Sequence, residues 1–448
     1  MTTRIAIVGS GIAGLSAAYY LNKQPNVEIY LFEANDYFGG HTHTVDVTGK
    51  TANGVQNFPV DTGFLVFNER TYPKLIGLFK ELNIPTAYSD MSFSVQAPKV
   101  GGDTLEWSGS SLNSVFAQRG NLLNKSFLWM LKDILRFNEL TTRLAQDLND
   151  SELEIPLSQF LEKNKFNSEF INWYLLPMLG CIWSCPPDQM LSFPVATMIR
   201  FCHNHGLLQV SNRPKWFTVA GGAKQYVSAI TQQLKNAYLN CPVLSIKRRT
   251  DKVTITTKRG EEEFDRLIIS THADQALGML SAPSDEEKRL LSSFRFKDNI
   301  AILHKDSSVL PSKKLAWAAW NFESAKLITK SSDSLGVSSR KALNDHVCLH
   351  YYLNMLQPVP FTEPVVVSLN PIREIDAAKI TATFNYSHPV FDLSTIKAQQ
   401  EFHKIQGHLN TWFAGAWLGY GFHEDGLKAG ETAAEAVIKS LSTVGHAQ

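Results

Sequence analysis

The chain has 448 residues, more than one hydrophobic core usually serves, so two intergrown domains are expected. Hydrophobic residues make up 44% of the sequence, charged residues 19%, and the formal net charge is +1. This balance gives no sign of a nucleic-acid surface or an acidic tail, so we expect no nucleic-acid partner.

The beginning of the chain and its cysteines bear on the cellular compartment. The opening run "MTTRIAIVGSG" has one basic residue before a very short apolar stretch that ends in glycines, which is not a signal-peptide pattern. No segment reaches the roughly 18 to 20 uninterrupted apolar residues of a membrane span. Five scattered cysteines without a paired zinc spacing are typical of a reduced compartment. We therefore expect a cytoplasmic protein, at most peripheral on the inner face of the membrane.

The first elements in the chain are predicted to be a strand, a glycine turn, a helix and a second strand. The apolar run Ile5 to Val8 is typical of a buried parallel strand, Ile12 to Lys23 of a helix, and Val27 to Phe32 of a second strand. This order predicts a βαβ unit at the start of the chain.

The turn of this unit carries a Gly-x-Gly-x-x-Gly fingerprint. Gly9 permits the tight turn, Gly11 lets a pyrophosphate approach the backbone, and Gly14 lets the helix pack closely on the strand. Glu33 closes the second strand, where its carboxylate can accept hydrogen bonds from the ribose hydroxyls of an adenosine. The glycines alone would also suit a plain βαβ unit, but together with Glu33 they predict a dinucleotide site at the helix N-terminus.

The segments after Glu33 favour FAD over a nicotinamide dinucleotide. A nicotinamide domain usually continues with alternating strands and helices, whereas here Gly39-Gly40 precedes "NFPVDTGFLVFNERTYPKL", which alternates at strand period. A further strand of the doubly wound kind is predicted at "EFDRLIISTHADQAL", and a last one at Trp412 to Ala416. A cofactor domain assembled from the N-terminus, the middle and the C-terminus suits the long, extended FAD.

The last segment is predicted to be a glycine loop followed by the closing helix "HEDGLKAGETAAEAVIKSL". Its glycines Gly415, Gly421, Gly426 and Gly430 would let the backbone approach a cofactor, and the start of the helix would point its amides at it. The alternative is a surface helix loosened by glycines.

These residues resemble those of the flavin superfamily of amine oxidases, phytoene desaturases and protoporphyrinogen oxidases. The segments "GGHTHTV", "RPKWFTVAGGAKQYV" and "GAWLGYGFHEDGL" are most similar to bacterial FAD-dependent, NAD(P)-binding oxidoreductases, often encoded beside cyclopropane-fatty-acid synthase-like methyltransferases. The resemblance covers nearly the whole chain. It implies FAD as the cofactor and an α/β protein in which a Rossmann-type, glutathione reductase-like FAD-binding domain is intergrown with an α+β substrate domain. A lipid substrate and a lipid methyltransferase partner are implied by association only.

The domains are predicted to alternate along the chain. Residues 1–86, 215–290 and 404–448 are assigned to the FAD-binding domain, and residues 87–214 and 291–403 to the substrate domain. The residues that the resemblance implies as cofactor contacts are Gly9, Gly11, Ile12, Ala13, Gly14, Glu33, Ala34, Gly39, Gly40, His41, Thr42, Gly63, Phe64, Val243, Ser270, Gly415, Ala416, Gly421, Phe422, His423, Glu424, Asp425 and Gly426.

His41 and His43 follow the Gly-Gly pair and raise the question of a metal. In amine oxidases the first position after this pair is typically arginine near the cofactor phosphates, so the resemblance places His41 and Thr42 along the FAD pyrophosphate or ribityl chain. A structural histidine is the alternative. No third ligand stands nearby at a recognisable spacing, so we expect no metal.

Three residues are candidates for catalysis. His423 opens the closing helix, where the resemblance places it close to the flavin, and Tyr420 and Asn68 lie near motifs of the same superfamily. A further pair, His203 and His205 of "FCHNHGL", is predicted at the end of a helix, where it caps the helix or lines a substrate pocket.

The segment "NLLNKSFLWMLKDILRFNELTTRLAQDL" predicts a helix of the substrate domain. Its apolar residues at near-helical spacing are Leu122, Leu123, Phe127, Met130, Leu131, Ile134, Leu135 and Phe137. An ordinary core-facing helix is one interpretation. The other is a surface helix that dips into a bilayer, favoured by the set Phe127, Trp129, Lys125, Lys132 and Arg136.

Three functions remain open from the sequence. A flavin takes a hydride readily only from an activated C–H bond, so we favour oxidation of an allylic position in an unsaturated or methylated fatty-acyl lipid, with oxygen or another acceptor reoxidising the flavin. The second is oxidation of an amine or an isoprenoid. The third is a non-catalytic flavoprotein that serves as a partner of a lipid methyltransferase.

Overall fold

The computed structural model of the protein describes residues 2–99, 103–146, 153, 155–184, 187–208, 213–324 and 347–444. The strands in these residues are β1 Thr3–Val8, β2 Val27–Phe32, β3 Thr44–Thr51, β4 Gly54–Asp61, β5 Phe67–Asn68, β6 Thr86–Ser89, β7 Phe93–Pro98, β8 Thr104–Ser108, β9 Trp216–Val219, β10 Asn236–Tyr238, β11 Val243–Arg248, β12 Val253–Thr257, β13 Gly260–Phe264, β14 Arg266–Ile269, β15 Arg295–His304, β16 Trp320–Glu323, β17 Cys348–Tyr352, β18 Val366–Leu369, β19 Ile380–Val390 and β20 Thr411–Phe413. The α-helices are α1 Ile12–Asn22, α2 Pro73–Glu81, α3 Leu112–Val115, α4 Lys125–Leu144, α5 Leu157–Lys163, α6 Ser168–Phe170, α7 Leu176–Trp183, α8 Pro187–Leu191, α9 Val195–Asn204, α10 Lys224–Thr231, α11 Ala273–Met279, α12 Asp285–Leu291, α13 Leu353–Leu356, α14 Leu393–Glu401 and α15 His423–Val444.

A five-stranded parallel sheet joins distant parts of the chain. Its order is β10-β2-β1-β14-β20, so strands from the N-terminal, middle and C-terminal segments lie side by side. The predicted Rossmann-type sheet assembled from discontinuous segments is therefore confirmed. The last strand ends at Phe413, and the predicted extension to Ala416 is wrong because a single 3-10 turn begins at Ala416.

Helices α1 and α15 cover one face of this sheet and approach each other closely. A Cβ atom on Gly430 would lie 2.1 Å from the carbonyl oxygen of Ala13, so only a glycine allows this contact. A Cβ atom on Gly426 would lie 2.7 Å from the side chain of Ile12. These two glycines therefore serve helix packing, where the sequence had suggested an approach of the backbone to the cofactor.

A seven-stranded mixed sheet forms the framework of the second half of the fold, in the order β19-β15-β18-β17-β16-β7-β8. A large core cluster joins its strands to helices from the segment between α4 and α9, as expected for an α+β unit. Ala398 and Phe402, which the predicted domain bounds give to the substrate domain, pack in the core beside β14 and β20 of the parallel sheet.

Helix α4 turns its two faces to different environments. Phe127, Met130 and Phe137 are completely buried, which confirms a core-facing side. Leu122, Leu123 and Leu135, which the periodicity also assigns to the core, are exposed, so the prediction is wrong for them. The bilayer interpretation counted Phe127 as an outward residue, and that assignment is wrong as well. Among the described residues, no helix combines the length and the apolar character needed to cross a bilayer.

Candidate functional site

A cavity of about 850 Å³ lies where the carboxyl ends of β1, β2 and β14 face the seven-stranded sheet. Open α/β sheets place their ligands at this edge, outside the carboxyl ends of the strands. One end of the cavity is formed by the turn after β1 and the end of β2, and the other by β16, β17 and β18. Both halves of the fold therefore contribute to one site.

The glycine turn after β1 has the geometry that the fingerprint requires. Gly9 has a φ of +98°, which favours glycine, and a Cβ atom on Gly14 would lie 2.0 Å from the carbonyl oxygen of Gly9. A Cβ atom on Gly11 would meet nothing within 4 Å, although Gly11 lines the cavity. The backbone at Gly11 is therefore open to a ligand, while Gly14 is needed for packing and does not line the cavity.

Glu33 is buried at the end of β2 and lines the same end of the cavity. Its Oε2 accepts hydrogen bonds from the backbone N–H of Ser10 at 2.9 Å and from Ser10 Oγ at 2.5 Å. Its Oε1 accepts one from the backbone N–H of Asn35 at 2.9 Å. The carboxylate is thus held in place by donors of the glycine turn, and its remaining lone pairs can accept ribose hydroxyls.

His41 lies in the cavity wall beside two rings of β19. Its ring centroid is 5.2 Å from those of Tyr386 and His388, and its Nε2 atom is buried without a hydrogen-bond partner among the described residues. Burial lowers the pKa of His41 well below its usual value, so the imidazole is neutral. An orphaned, buried ring nitrogen in this wall suits a group that arrives with a ligand.

Thr42 and His423 share a buried polar cluster with Tyr226. Thr42 Oγ1 lies 2.5 Å from Tyr226 Oη, and His423 Nε2 lies 2.9 Å from each of these two oxygens. The His423 ring stacks on Phe64 at 3.7 Å between centroids. Burial lowers the pKa of His423 to about 3. His423 lines the cavity, but this neutral, doubly engaged imidazole is suited to positioning, whereas Thr42 does not line the cavity.

Two acidic residues follow His423 at the start of α15, and both accept hydrogen bonds from nearby backbone N–H groups. Glu424 accepts hydrogen bonds from the backbone N–H groups of Lys74 and Leu75 at the start of α2, at 3.1 and 3.0 Å. Asp425 Oδ2 accepts from the N–H groups of Tyr420 and Phe422 at 3.1 and 3.0 Å. Burial raises the pKa of Asp425 to about 6. Neither acidic side chain lines the cavity, and nor does Gly426.

The two remaining catalytic candidates, Tyr420 and Asn68, differ in their position relative to the cavity. Tyr420 lines the cavity, with its ring centroid 5.9 Å from that of Phe201. Asn68 is fully buried outside the cavity wall, where its Oδ1 accepts hydrogen bonds from the backbone N–H groups of Arg70 and Thr71, both at 2.9 Å. Asn68 therefore closes a turn through its Oδ1, while its Nδ2 is buried without a hydrogen-bond partner among the described residues, and its catalytic role stays a prediction.

Most of the predicted cofactor contacts do come together around the cavity. Those in its wall, besides the ones described above, are Gly9, Ile12, Ala13, Ala34, Gly39, Gly40, Gly63, Phe64, Val243, Ser270, Gly415, Ala416, Gly421 and Phe422. They come from every predicted cofactor segment. Cofactor contact itself stays a prediction for each of these residues.

Some wall residues did not follow from the sequence. Tyr386 and His388 reach the cavity from β19 and belong to no quoted motif, whereas His272, just before α11, lies within "EFDRLIISTHADQAL" but was not identified as a site residue. His205 places Nδ1 3.0 Å from the carbonyl oxygen of Phe201, as a residue that caps the helix would, and it also lines the cavity. Contact with a substrate stays a prediction.

Charge is nearly absent from this cavity. Among the described residues that line it, Glu33 is the only acidic side chain, and none is lysine or arginine. Burial lowers the pKa of each lining histidine: His41, His205, His272, His388 and His423. The part of the wall that the described residues form is therefore electrically neutral near pH 7, apart from Glu33.

The residues present fit an extended dinucleotide. The volume suffices for such a ligand, Gly11 leaves the backbone open, Glu33 is fixed for a ribose, and α1 begins at the cavity with its backbone amides. FAD would be held by the glycine turn and Glu33 at one end and by the segments around Gly40, Gly63 and Gly415 at the other.

Comparisons with known proteins agree with this site. The model of the family "Flavin containing amine oxidoreductase" matches residues 12–303, well over half of the chain. AofH of Mycobacterium tuberculosis, assigned as a flavin-containing monoamine oxidase, is 28% identical over 284 residues, which cover 60% of this chain and 57% of that protein.

Solved structures share the fold across almost the whole chain. A CLA-producing fatty acid isomerase from P. acnes matches with a TM-score of 0.65 and 16% identity, covering 98% of each chain. Cyclohexylamine oxidase from Brevibacterium oxydans matches with a TM-score of 0.65 and 15% identity, covering 99% of this chain and 100% of that one. At these identities the likeness shows the fold alone.

Proposed function

We propose, from the premise that this chain belongs to the family of flavin containing amine oxidoreductases and is an FAD-dependent oxidoreductase, that it oxidises an uncharged fatty-acyl chain at an activated, allylic C–H bond. FAD held in the cavity would supply the acceptor for one hydride, which carries both electrons. The substrate gains a double bond as a second hydrogen leaves as a proton, and oxygen or another acceptor takes the electrons away.

The neutrality of the cavity wall is the observation that carries this proposal. An ammonium or carboxylate group bound beyond Glu33 would lose its water without gaining a described counterion. A hydrocarbon chain loses nothing by the same transfer and gains from leaving water. The wall therefore favours an apolar substrate segment over a charged one.

The far end of the cavity supplies the surface that would hold such a chain. Phe93, Trp320, Tyr351, Val367 and Leu369 line it from four strands of the seven-stranded sheet. Because these side chains stand on strands packed into the core, their positions are fixed before a substrate arrives. They would orient the chain and exclude water from the reacting carbon.

The known chemistry of similar folds supports the proposal without deciding it. A protein with this fold is described as a fatty acid isomerase, so the architecture accommodates fatty acids. None of the described lining residues is a lysine or an arginine. Removal of a hydride from an allylic carbon needs no general base, and the proton that then leaves the substrate can pass to water or to a neutral lining histidine such as His41, whose Nε2 has no hydrogen-bond partner among the described residues.

Amine oxidation is the second candidate. The family match and the relative from Mycobacterium tuberculosis favour it, and Trp320 and Tyr351 meet edge to face at the cavity, with centroids 4.9 Å apart and planes at 84°. Such a pair can contact an amine through its ring faces. An isoprenoid would meet the same apolar wall as an acyl chain.

The proposal is tested by anaerobic titration of the FAD-loaded protein, following the visible flavin band. The substrates are phospholipid vesicles with monounsaturated or methylated chains, and vesicles with fully saturated chains are the matched control. Bleaching by the unsaturated or methylated chains alone, reversed on admitting air, is expected. Product analysis would then locate the new double bond.

Other outcomes of the same titration would overturn the proposal. Bleaching by primary amines but not by lipid would establish the amine candidate, and bleaching by NADPH alone would indicate a reductase. A band that responds to none of these, with FAD tightly bound, would favour a non-catalytic role beside a lipid methyltransferase.

A further inference from the structure

Helix α4 and the turn before it expose large apolar side chains to solvent. On the helix, Leu128, Trp129 and Leu135 are 42%, 56% and 61% exposed. In the preceding turn, Leu122 and Leu123 are 51% and 90% exposed. Leu128 and Leu135 are seven residues, or two turns, apart and lie above one another on α4, and Trp129 lies about 100° further round on the same outward half of the helix. We call these five residues the α4 face.

The opposite side of α4 is anchored in the core. Phe127, Met130 and Phe137 are completely buried, and Asp133 accepts hydrogen bonds from the backbone N–H and the side-chain Nδ2 of Asn167. The α4 face is therefore not a core surface left partly covered by a loose helix. It is presented outward by a helix whose position is fixed.

Basic residues surround the α4 face. Lys125, Lys132 and Arg143 are exposed on the outward half of the helix, and the one exposed acidic residue of α4 is Glu139. Arg136 is exposed as well, but its guanidinium pairs with Asp133 at 3.2 Å. Lys132 Nζ lies 4.6 Å above the ring of Trp129, so positive charge and apolar surface are adjacent. This combination of tryptophan, leucine and a cationic rim is typical of helices that lie in a membrane interface.

We propose that the α4 face docks on an anionic lipid bilayer, with α4 parallel to the membrane plane. The excess of basic over acidic residues complements phosphate headgroups, and Trp129 supplies the amphipathic ring that is enriched at the interface. The buried side of α4 limits insertion to the side chains of the exposed face. This proposal does not depend on the substrate of the enzyme.

A protein partner is the less favoured occupant. Interfaces between proteins usually disfavour lysine near their centre. On α4, Lys132 stands between Trp129 and Leu135 along the helix. Lysine in that position has its charge satisfied by a headgroup while its stem covers apolar surface.

The test is co-sedimentation of the FAD-loaded protein with vesicles of phosphatidylcholine, with and without phosphatidylglycerol. We expect binding to the anionic vesicles only, weakened by high salt because the charges are exposed. The variants Trp129→Glu and Leu135→Glu should each reduce the bound fraction roughly tenfold or more. The double variant Lys125→Glu, Lys132→Glu should reduce it by roughly fivefold per residue or more.

A matched control guards against a general effect of added charge. Leu393 is 48% exposed at the start of α14, so Leu393→Glu adds the same charge to another apolar surface site. It should bind vesicles as the unmodified chain does, and retention of the flavin band would verify folding of each variant. Equal loss in the control, or no binding by the unmodified chain, would overturn the proposal. Loss of a dimer by Trp129→Glu with unchanged vesicle binding would instead identify the face as an interface between copies.

Discussion

The hydroxyl of Thr42 lies 2.9 Å from Nε2 of His423, although 381 residues separate the two in sequence. Both contact Tyr226, so three distant segments meet in one buried polar cluster at the cavity. Burial keeps the His423 imidazole neutral, and its nitrogen depends on these two hydroxyls for satisfaction.

Thr42→Val should destabilise the protein, because it leaves His423 and Tyr226 each with one hydrogen-bond partner fewer in a buried site. We expect a loss of about 1–3 kcal/mol in the free energy of unfolding, measured by denaturant titration of the FAD-loaded protein. Thr42→Ser keeps the hydroxyl and is the matched control. Equal stability of the Val variant and the Ser variant would contradict the role assigned to the cluster.

Two glycines of the fingerprint should respond differently to an added methyl group. Gly11→Ala places Cβ in open space in the cavity, so it should weaken FAD binding while leaving the stability of the apoprotein nearly unchanged. Gly14→Ala places Cβ 2.0 Å from the carbonyl oxygen of Gly9 and should destabilise the fold itself.

Two measurements distinguish the variants. Titration of the apoprotein with FAD measures the loss of binding, and thermal unfolding without FAD measures the loss of stability. Gly77→Ala is the control, because its Cβ would meet nothing within 4 Å and it lies in α2, away from the cavity. Unchanged FAD affinity in Gly11→Ala would contradict an approach of the cofactor to this backbone.

Glu33→Gln should weaken FAD binding strongly. The amide nitrogen would face donors from Ser10 or Asn35 in place of an accepting oxygen, and the charged acceptor for the ribose would be lost. A loss of about 1.5–3 kcal/mol corresponds to a roughly 10- to 150-fold higher Kd. Fluorescence titration of the apoprotein measures it, with Glu28→Gln on the same strand as the control. A Kd that rises equally in both variants would contradict a specific role of Glu33.

Acid should destabilise the protein through its buried histidines. Burial lowers the pKa of His205 and His388 to about 4 and that of His423 to about 3, from 6.5. Above pH 6.5 these groups are neutral in both states. As the pH falls from 6.5 towards 4, these histidines become protonated in the unfolded chain but stay neutral in the folded chain. The free energy of unfolding therefore decreases by about 1.4 kcal/mol per pH unit for each additional proton that the unfolded chain binds.

Two buried aspartates act in the opposite direction. The pKa of Asp61 and of Asp425 is raised by burial from 3.8 to about 6, so between these pH values the folded chain binds the proton first and gains stability on acidification. The buried histidines outnumber these aspartates, so we expect the free energy of unfolding to decrease as the pH is lowered. Denaturant titrations at pH 7.5, 6 and 5 measure this decrease. His205→Phe should flatten this pH dependence, whereas His403→Phe, at an exposed position, should not. If the free energy of unfolding depended on pH equally in both variants, His205 would not contribute to the acid sensitivity as proposed.

The glycine turn and Glu33 could be predicted from the sequence because the interactions that require them lie within one short segment of the chain. Gly9, Gly11 and Gly14 are required by one turn and one helix contact, and Glu33 ends the strand that follows. The fold class followed from the same signals, since apolar runs at strand length mark buried parallel strands wherever they occur.

The rest of the site depends on contacts between distant segments. Tyr226 and Asp61 are part of quoted motifs, but only the pairing of β3 with β4 and the position of α10 bring Asp61 within 2.9 Å of the backbone N–H of Ala223. Asn68 lies outside the cavity wall, where its Oδ1 closes a turn, and no spacing in the sequence reveals this placement. On α4, periodicity marks the apolar residues but not how wide a stripe the core covers, so Leu135 was misassigned.

The order of strands in the parallel sheet also has a consequence for biosynthesis. Strand β14 pairs with β20, whose residues Thr411–Phe413 leave the ribosome more than 140 residues after Ile269. During that interval the hydrogen-bonding edge of β14 is unpaired, and the βαβ unit made first cannot complete its sheet. Helix α15 follows later still. The nascent chain can therefore close its nucleotide site only after β20 has been synthesised, and the edge of β14 stays accessible to chaperones until then.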